Sequence, residues 1–199
     1  LLVGVGVIFG GVSTAWFTAV CEFPGRRIFE WALILPLAVP AYVMAYAYTD
    51  VLQYAGPVQS LLRDVFGWQS KADYWFPDVR SLGGAAVMFS LVLYPYVYLP
   101  VRAAFAAGGA NLTEAARTLG LSPWGAFRRV ALPLARPAIA GGAALALMET
   151  LADYGAVAHF AVDTFTVGVY KAWFGLGDKA SAARLAGLML LATLLLVCM

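Results

Sequence analysis

The sequence predicts an all-α protein that crosses a membrane several times. Hydrophobic residues make up 62% of the chain and charged residues 12%, whereas an ordinary soluble domain is about half apolar and a quarter charged. Mean hydropathy is +0.80. Several windows also approach or reach the roughly 20 largely apolar residues that a helix needs to cross the hydrocarbon core. Lipid offers no partner to backbone N–H and C=O groups, so such windows must satisfy those groups internally, as helices do.

Five windows read as spans, over 1–20, 31–49, 83–106, 137–158 and 184–199. The first lacks a basic leader and is followed by more spans, so it is a true span rather than a signal peptide. The chain opens at Leu1 and closes inside its last, 16-residue window. It therefore reads as one transmembrane domain, 1–199, cut at both ends. The second and third windows carry Tyr42, Tyr46, Tyr48, Tyr94, Tyr96 and Tyr98. Their polar tips suit either the membrane interface or the wall of a passage. Pro36, Pro40, Pro95 and Pro100 should kink the same windows. Between them, Pro57 opens a short amphipathic pattern in which Val58, Leu61, Leu62, Val65 and Phe66 share one face. Trp68, Tyr74, Trp75 and Phe76 follow it and suit an interface.

The fourth window presents Gly141, Gly142, Ala143 and Ala144, a small-residue surface for close helix contact. It also holds Glu149 and Asp153, four residues apart and expected on one face. An ionisable side chain at mid-span costs about 2.5–3.5 kcal/mol on insertion scales, and such groups face a bundle interior or a wet cavity. Cation contact, gate pairing and a structural hydrogen bond are all compatible with the pair.

Orientation follows from the connections. Loops 21–30 and 102–136 share a side and hold seven arginines against three glutamates, a net of +4. Loops 50–82 and 159–184 balance to zero. Retention of positive charge in the cytoplasm places 102–136 there. Cys21 and Cys198 fall in a cytoplasmic loop and a membrane run, which argues against a disulfide. With His159 the only histidine, no zinc-type or iron-type ligand cluster forms. A P-loop, Gly-x-Ser-x-Gly and His-Glu-x-x-His are absent. Neither an enzyme nor a cofactor is therefore expected, and any ATP hydrolysis would be a partner's.

One stretch departs from this apolar background: "EAARTLGLSPWGAFRRVALP", 114–133. Asn111 stands as an N-cap with Glu114 three residues on, the spacing of a capping box. Leu112, Ala115, Ala116 and Leu119 recur at helical spacing, and Gly120 is placed to end the helix in a left-handed conformation. Ser122 and Pro123 then start a second helix with Trp124, Phe127 and Val130, which Pro133 should stop. Two short helices joined by a glycine turn fit a solvated connection, a DNA-binding unit or a docking element. A short tether between spans keeps a recognition helix from a major groove. Exposed Trp124 and Phe127 beside small Ala115 and Ala116, with Arg128 and Arg129 at the rim, favour docking.

The order Glu114, Ala115, Ala116, Gly120, Val130, Leu132, Pro133 resembles the signature loop of the permease subunits of bacterial binding-protein-dependent ABC importers. Val130 stands where isoleucine is commonest in that family. The stretches 22–50 and 148–178 further resemble the permeases of ferric-iron importers, many of which fuse two such halves. The resemblance covers nearly the whole chain. It implies a multi-pass bundle of the ABC importer permease type in the bacterial inner membrane. Loop 108–136 would then couple to cytoplasmic ATPase subunits through Glu114, Ala115, Ala116, Gly120, Leu132 and Pro133. A periplasmic binding protein, a second permease half and membrane lipid are the other implied partners. The passage would be for ferric iron, with Glu149, Asp153, Tyr46 and Tyr96 as pathway candidates. Carboxylate oxygens suit such a hard cation. Permeases for thiamine, sulfate, molybdate, polyamines or phosphonates are the alternatives within the family. An ion-coupled secondary transporter, with the two carboxylates as its ion site, and a non-transporting scaffold are the alternatives outside it.

The charge asymmetry is testable. With the native cysteines removed, a cysteine at Ser70 should react with an impermeant thiol reagent in intact spheroplasts, and one at Ser122 should not; the reverse pattern inverts the topology.

Overall fold

The computed structural model describes residues 1–197, apart from the side chains of 108–111, 113 and 114. Every regular element among the described residues is helical. Three helical stretches are long and apolar enough to cross a membrane: Leu2–Val20, Leu82–Ala107 and Lys179–Val197. The number rises to five if two broken pairs, Arg26–Ala38 with Ala41–Phe66 and Pro123–Leu134 with Arg136–Ala152, each count as one span.

The first, third and fifth windows are thus close to expectation, while the second and fourth are interrupted. In the second, α2 (Arg26–Ala32) gives way to a 3-10 turn at Leu35–Ala38, and α3 (Ala41–Leu52) starts only after Pro40. Proline has no N–H to donate and its ring clashes with the preceding turn, so Pro36 and Pro40 break this window rather than bend it. The fourth window, expected over 137–158, is α10 (Arg136–Ala152) followed by a short helix at Gly155–His159.

The chain divides into two compact units. Among the described residues the first contains Leu1–Ala38, Ser90–Thr150 and 196–197; the second contains Val39–Phe89 and Leu151–Leu195.

In the first unit, α1 (Leu2–Val20) packs along α6 (Pro95–Ala104), which follows α5 (Leu82–Leu93) in the chain. Val7, Val97, Tyr98 and Val101 are fully buried there. Tyr98 therefore belongs to the core, not to an interfacial belt or a passage wall, and its hydroxyl has no partner among the described residues. Helix α10 also approaches α6 closely. A Cβ added at Gly142 would stand 2.5 Å from the Tyr96 carbonyl oxygen and 2.8 Å from the Val97 Cα. Glycine is required at this point because backbone fills the space. Charge fixes the base of the unit: Glu30 of α2 takes Arg102 of α6 at 2.9 Å and Arg26 at 3.2 Å, and Arg26 donates to the Ala19 carbonyl. Tyr94 donates to the Leu33 carbonyl at 2.8 Å, satisfying backbone where α2 ends.

In the second unit, α4 (Pro57–Phe66) forms where expected, between Gly56 and a left-handed Gly67. Its one buried residue is polar. Gln59 donates to the Leu52 carbonyl at 2.7 Å and accepts from the Tyr74 hydroxyl at 2.6 Å, which folds the following loop back onto the helix. Trp68 stacks between Phe66 and Tyr74, at 4.8 Å from each. Backbone N–H groups of Ser70 and Gln69 hold the Asp73 carboxyl below the ordinary aspartate range. Elsewhere in this unit α3 packs on α11 (Gly155–His159). There His159 Nε2 lies 3.0 Å from the Thr49 hydroxyl and the His159 ring 4.1 Å from that of Tyr46.

Gly142→Ala should lower the thermal stability of the detergent-solubilised protein by about 1–3 kcal/mol, as overpacking does. Gly141→Ala is the control, since nothing lies within 4 Å of its added Cβ. Equal melting of both variants and wild type would remove the argument from close approach.

Candidate functional site

The predicted helix–turn–helix is present, with two differences from expectation. Its first helix does not begin at Asn111. Helix α6 continues through a π-helical turn at Phe105–Gly109 into α7 (Ala110–Thr118) without leaving helical conformation. No proline interrupts 101–111, its alanines favour helix, and the wider π turn absorbs the Gly108–Gly109 pair. Asn111 is thus inside a helix and is not an N-cap. The side chains of Asn111 and Glu114, and with them the capping box, lie outside the described residues.

The end of α7 is as expected. Gly120 has φ +93°; its N–H reaches the Arg117 carbonyl at 3.0 Å and that of Leu121 reaches the Ala116 carbonyl at 3.1 Å. These two bonds are the Schellman closure, which calls for a residue that tolerates positive φ. Ser122 then caps α8 (Pro123–Ala126), accepting from the Gly125 N–H at 3.1 Å with Pro123 in the first turn.

The second difference concerns Pro133. It does not stop the second helix, which passes through another π turn, Phe127–Ala131, into α9 (Leu132–Leu134). Pro133 sits in the first turn of α9, where a missing N–H is tolerated. The break comes after it, at Ala135, and the Pro123–Leu134 segment is bent by 66° from α10.

This loop presents apolar side chains outward. Leu119 is 87% exposed and Trp124 64%, with Leu112 also exposed. Arg117, Thr118, Leu121 and Pro123 line a cleft of about 430 Å³. Arg128 and Arg129 are exposed nearby. Ala115 is exposed but Ala116 is buried, so only the first is on the outward face of α7. Leu132 and Pro133 are half-buried.

The loop is tied to the first span through a residue that pattern reading passed over. Trp16, in the last turns of α1, meets Phe105 edge-on at 5.7 Å and Phe127 at 4.6 Å. Phe127 in turn stacks on Trp124 at 5.2 Å. The Glu30–Arg102 pair was equally unannounced: its members are 72 positions apart, and only their opposite charges in segments expected on the same side of the membrane hinted at it.

The pathway candidates fall in both units. In the first, Glu149 is exposed on α10 and has no hydrogen-bond or ionic partner among the described residues, while Tyr96 is half-buried on α6. In the second, Tyr46 is exposed on α3 beside His159. Asp153 lies beyond the last residue of α10, so it does not share a helix face with Glu149 as the spacing suggested. Its Oδ1 accepts from the N–H groups of Ala156 at 2.7 Å and Val157 at 3.4 Å, capping α11. The helix ends where an aspartate can take over the orphan donors of the next one. Among the described residues no group of three or more histidines, cysteines, aspartates and glutamates is placed to hold a metal ion.

Residues 6–199 match the family described as binding-protein-dependent transport system inner membrane component, and the chain belongs to that family. It is 29% identical over 181 residues to the molybdenum transport system permease protein ModB of Escherichia coli K12, covering 88% of this chain and 76% of that protein. It is 29% identical over 205 residues to the sulfate transport system permease protein CysT of the same strain, covering 97% and 69%. The Fe(3+)-transport system permease protein FbpB 2 of Haemophilus influenzae is 26% identical over 201 residues, which is 99% of this chain and 35% of that protein. The chain is accordingly a multi-pass inner-membrane transport component and not itself an enzyme. Membership implies a periplasmic binding protein and an ABC ATPase as its partners.

Proposed function

We propose that the chain is one transmembrane half of an ABC importer for ferric iron, carrying it from periplasm to cytoplasm on the power of separate ATPase subunits. One observation carries the mechanical part. The segment expected to couple is a closed helix–turn–helix with Leu119 and Trp124 exposed beside a cleft, locked by the left-handed Gly120. We assign coupling to 108–136, with Glu114, Ala115, Ala116, Gly120, Leu132 and Pro133 as its residues. Ala115 faces the partner, whereas Ala116, Leu132 and Pro133 set the loop's own shape. The remainder of 1–199 is the transmembrane domain, completed by lipid and a second permease half. That half is either fused to this one or a separate subunit: the match spans 35% of the ferric permease but 76% and 69% of the molybdenum and sulfate permeases.

Glu149 is the leading pathway group. An exposed carboxylate on a span helix, without a partner among the described residues, needs water or cargo to stabilise its charge. Asp153, whose Oδ2 is left over after Oδ1 caps α11, Tyr46 and Tyr96 complete the pathway assignment. Iron rests on the resemblance of 22–50 and 148–178 to ferric permeases and on the hardness of carboxylate ligands. The molybdate and sulfate relatives favour a second reading, a permease for a tetrahedral oxyanion.

The substrate is decided by ATP hydrolysis in the reconstituted complex. Ferric-loaded binding protein should stimulate it and molybdate- or sulfate-loaded protein should not; the opposite result removes iron. In the same vesicles Glu149→Gln should cut uptake at unchanged basal hydrolysis, and wild-type uptake would take Glu149 out of the pathway.

Coupling predicts that Gly120→Val and Glu114→Lys still insert but fail to retain or drive the ATPase. A β-carbon in the left-handed turn costs on the order of 1 kcal/mol and reorients the exposed face. Full co-purification of the ATPase from solubilised membranes, with full transport, would reduce this loop to a connection.

A further inference from the structure

We propose that Trp16 is a positioning residue for coupling, holding the two π turns that flank the α7–α8 helix–turn–helix so that force applied at Trp124 reaches the first membrane span. The inference rests on the reading of 108–136 as the ATPase-coupling segment, and adds how that segment is joined to the bundle.

Four rings form a continuous series. Phe105 and Trp16 meet edge-on, 5.7 Å apart at 86°. Trp16 and Phe127 are 4.6 Å apart at 61°, and Phe127 and Trp124 stack at 5.2 Å and 28°. Phe105 and Phe127 are the first residues of the two π turns. Trp16 thus touches the chain where it leaves regular α-helix before α7 and again after α8. One end of the series is closed, since Phe105 is buried, and the other is open, since Trp124 is largely exposed beside the docking cleft.

The arrangement has little slack. Ala126, Ala131 and Ala135, on the inner side of the second helix and its π turn, are fully buried, so the loop sits close to the bundle. π turns are the points in a helix where the hydrogen-bond register is already displaced, and they are frequent at functional sites. A loop suspended between two of them would swing independently of the spans unless something bridged the pair. Trp16 is that bridge, and it belongs to α1, which packs along α6. A tryptophan serving only as an interfacial anchor would present its ring to lipid headgroups; this one is half-buried between two phenylalanines.

The test uses the complete complex, permease with its ATPase, in proteoliposomes, with the cognate binding protein as purified from cells. In a background carrying Leu119→Cys, cross-linking to the ATPase reports docking, and ATP hydrolysis with and without binding protein reports coupling. Trp16→Ala and Trp16→Leu should keep the cross-link and basal hydrolysis within about twofold, while stimulation by binding protein falls about fivefold, within the range over which residues along a coupling network act. Trp16→Phe should restore at least half of the stimulation. Wild-type stimulation in Trp16→Leu, or a Trp16→Phe variant as defective as Trp16→Ala, overturns the inference. If Trp16→Ala fails to assemble, Trp16→Leu decides by the same readout. An absent cross-link in the background with Trp16 intact is a different result: it sinks the coupling-loop reading itself.

Discussion

Within lipid an interruption of helix has to satisfy its own backbone, because the hydrocarbon supplies no hydrogen bonds, and here the breaks in the loop outside the spans are closed in the same way. The breaks show how. Where α2 ends, the Tyr94 hydroxyl reaches the freed Leu33 carbonyl. Where α7 ends, Gly120 and Leu121 turn their N–H groups back to Arg117 and Ala116. Ser122 caps α8, and Asp153 takes two N–H groups of α11 immediately after α10 stops. In each case the helix is broken beside a residue able to replace the lost partner. The positions of Gly120, Ser122, Tyr94 and Asp153 therefore govern where the chain can turn, and so where its functional segments lie.

Such local rules were the part legible from sequence. Gly120, the Ser122–Pro123 start and the Pro57 helix follow from the chemistry of one or a few adjacent residues, and the structure has each of them. The errors came where a local signal competed with its flanks. Asn111 is a good cap only if a helix begins there, and the helix arriving from α6 does not end. Pro133 breaks a helix only if its N–H is needed, and after a π turn it is not. The spacing of Glu149 and Asp153 implied one face only while the helix ran past Ala152.

The tyrosines show a second limit. Composition places six of them in two spans but does not say which face each takes. Tyr46 is exposed, Tyr98 is core, and Tyr94 is a donor to another segment's backbone. Contacts of long sequence separation, such as Glu30 with Arg102 or Trp16 with Phe127, were equally out of reach. Nothing local distinguishes Trp16 from any other span tryptophan; its contacts arise from which two rings the fold brings to it.

The π turns at Phe105–Gly109, Phe127–Ala131 and Lys171–Gly175 bear on how this sequence lines up with others. A π turn holds one residue more than the α turn it replaces, so it takes up an extra residue that in continuous α-helix would rotate everything downstream by about 100° about the helix axis. Removing a single residue at Phe105–Gly109 would restore α-helix there and leave the face of α7 close to where it is. A one-residue gap at these places in an alignment is consequently compatible with an unchanged azimuth for α7, whereas the same gap inside α7 would turn its face.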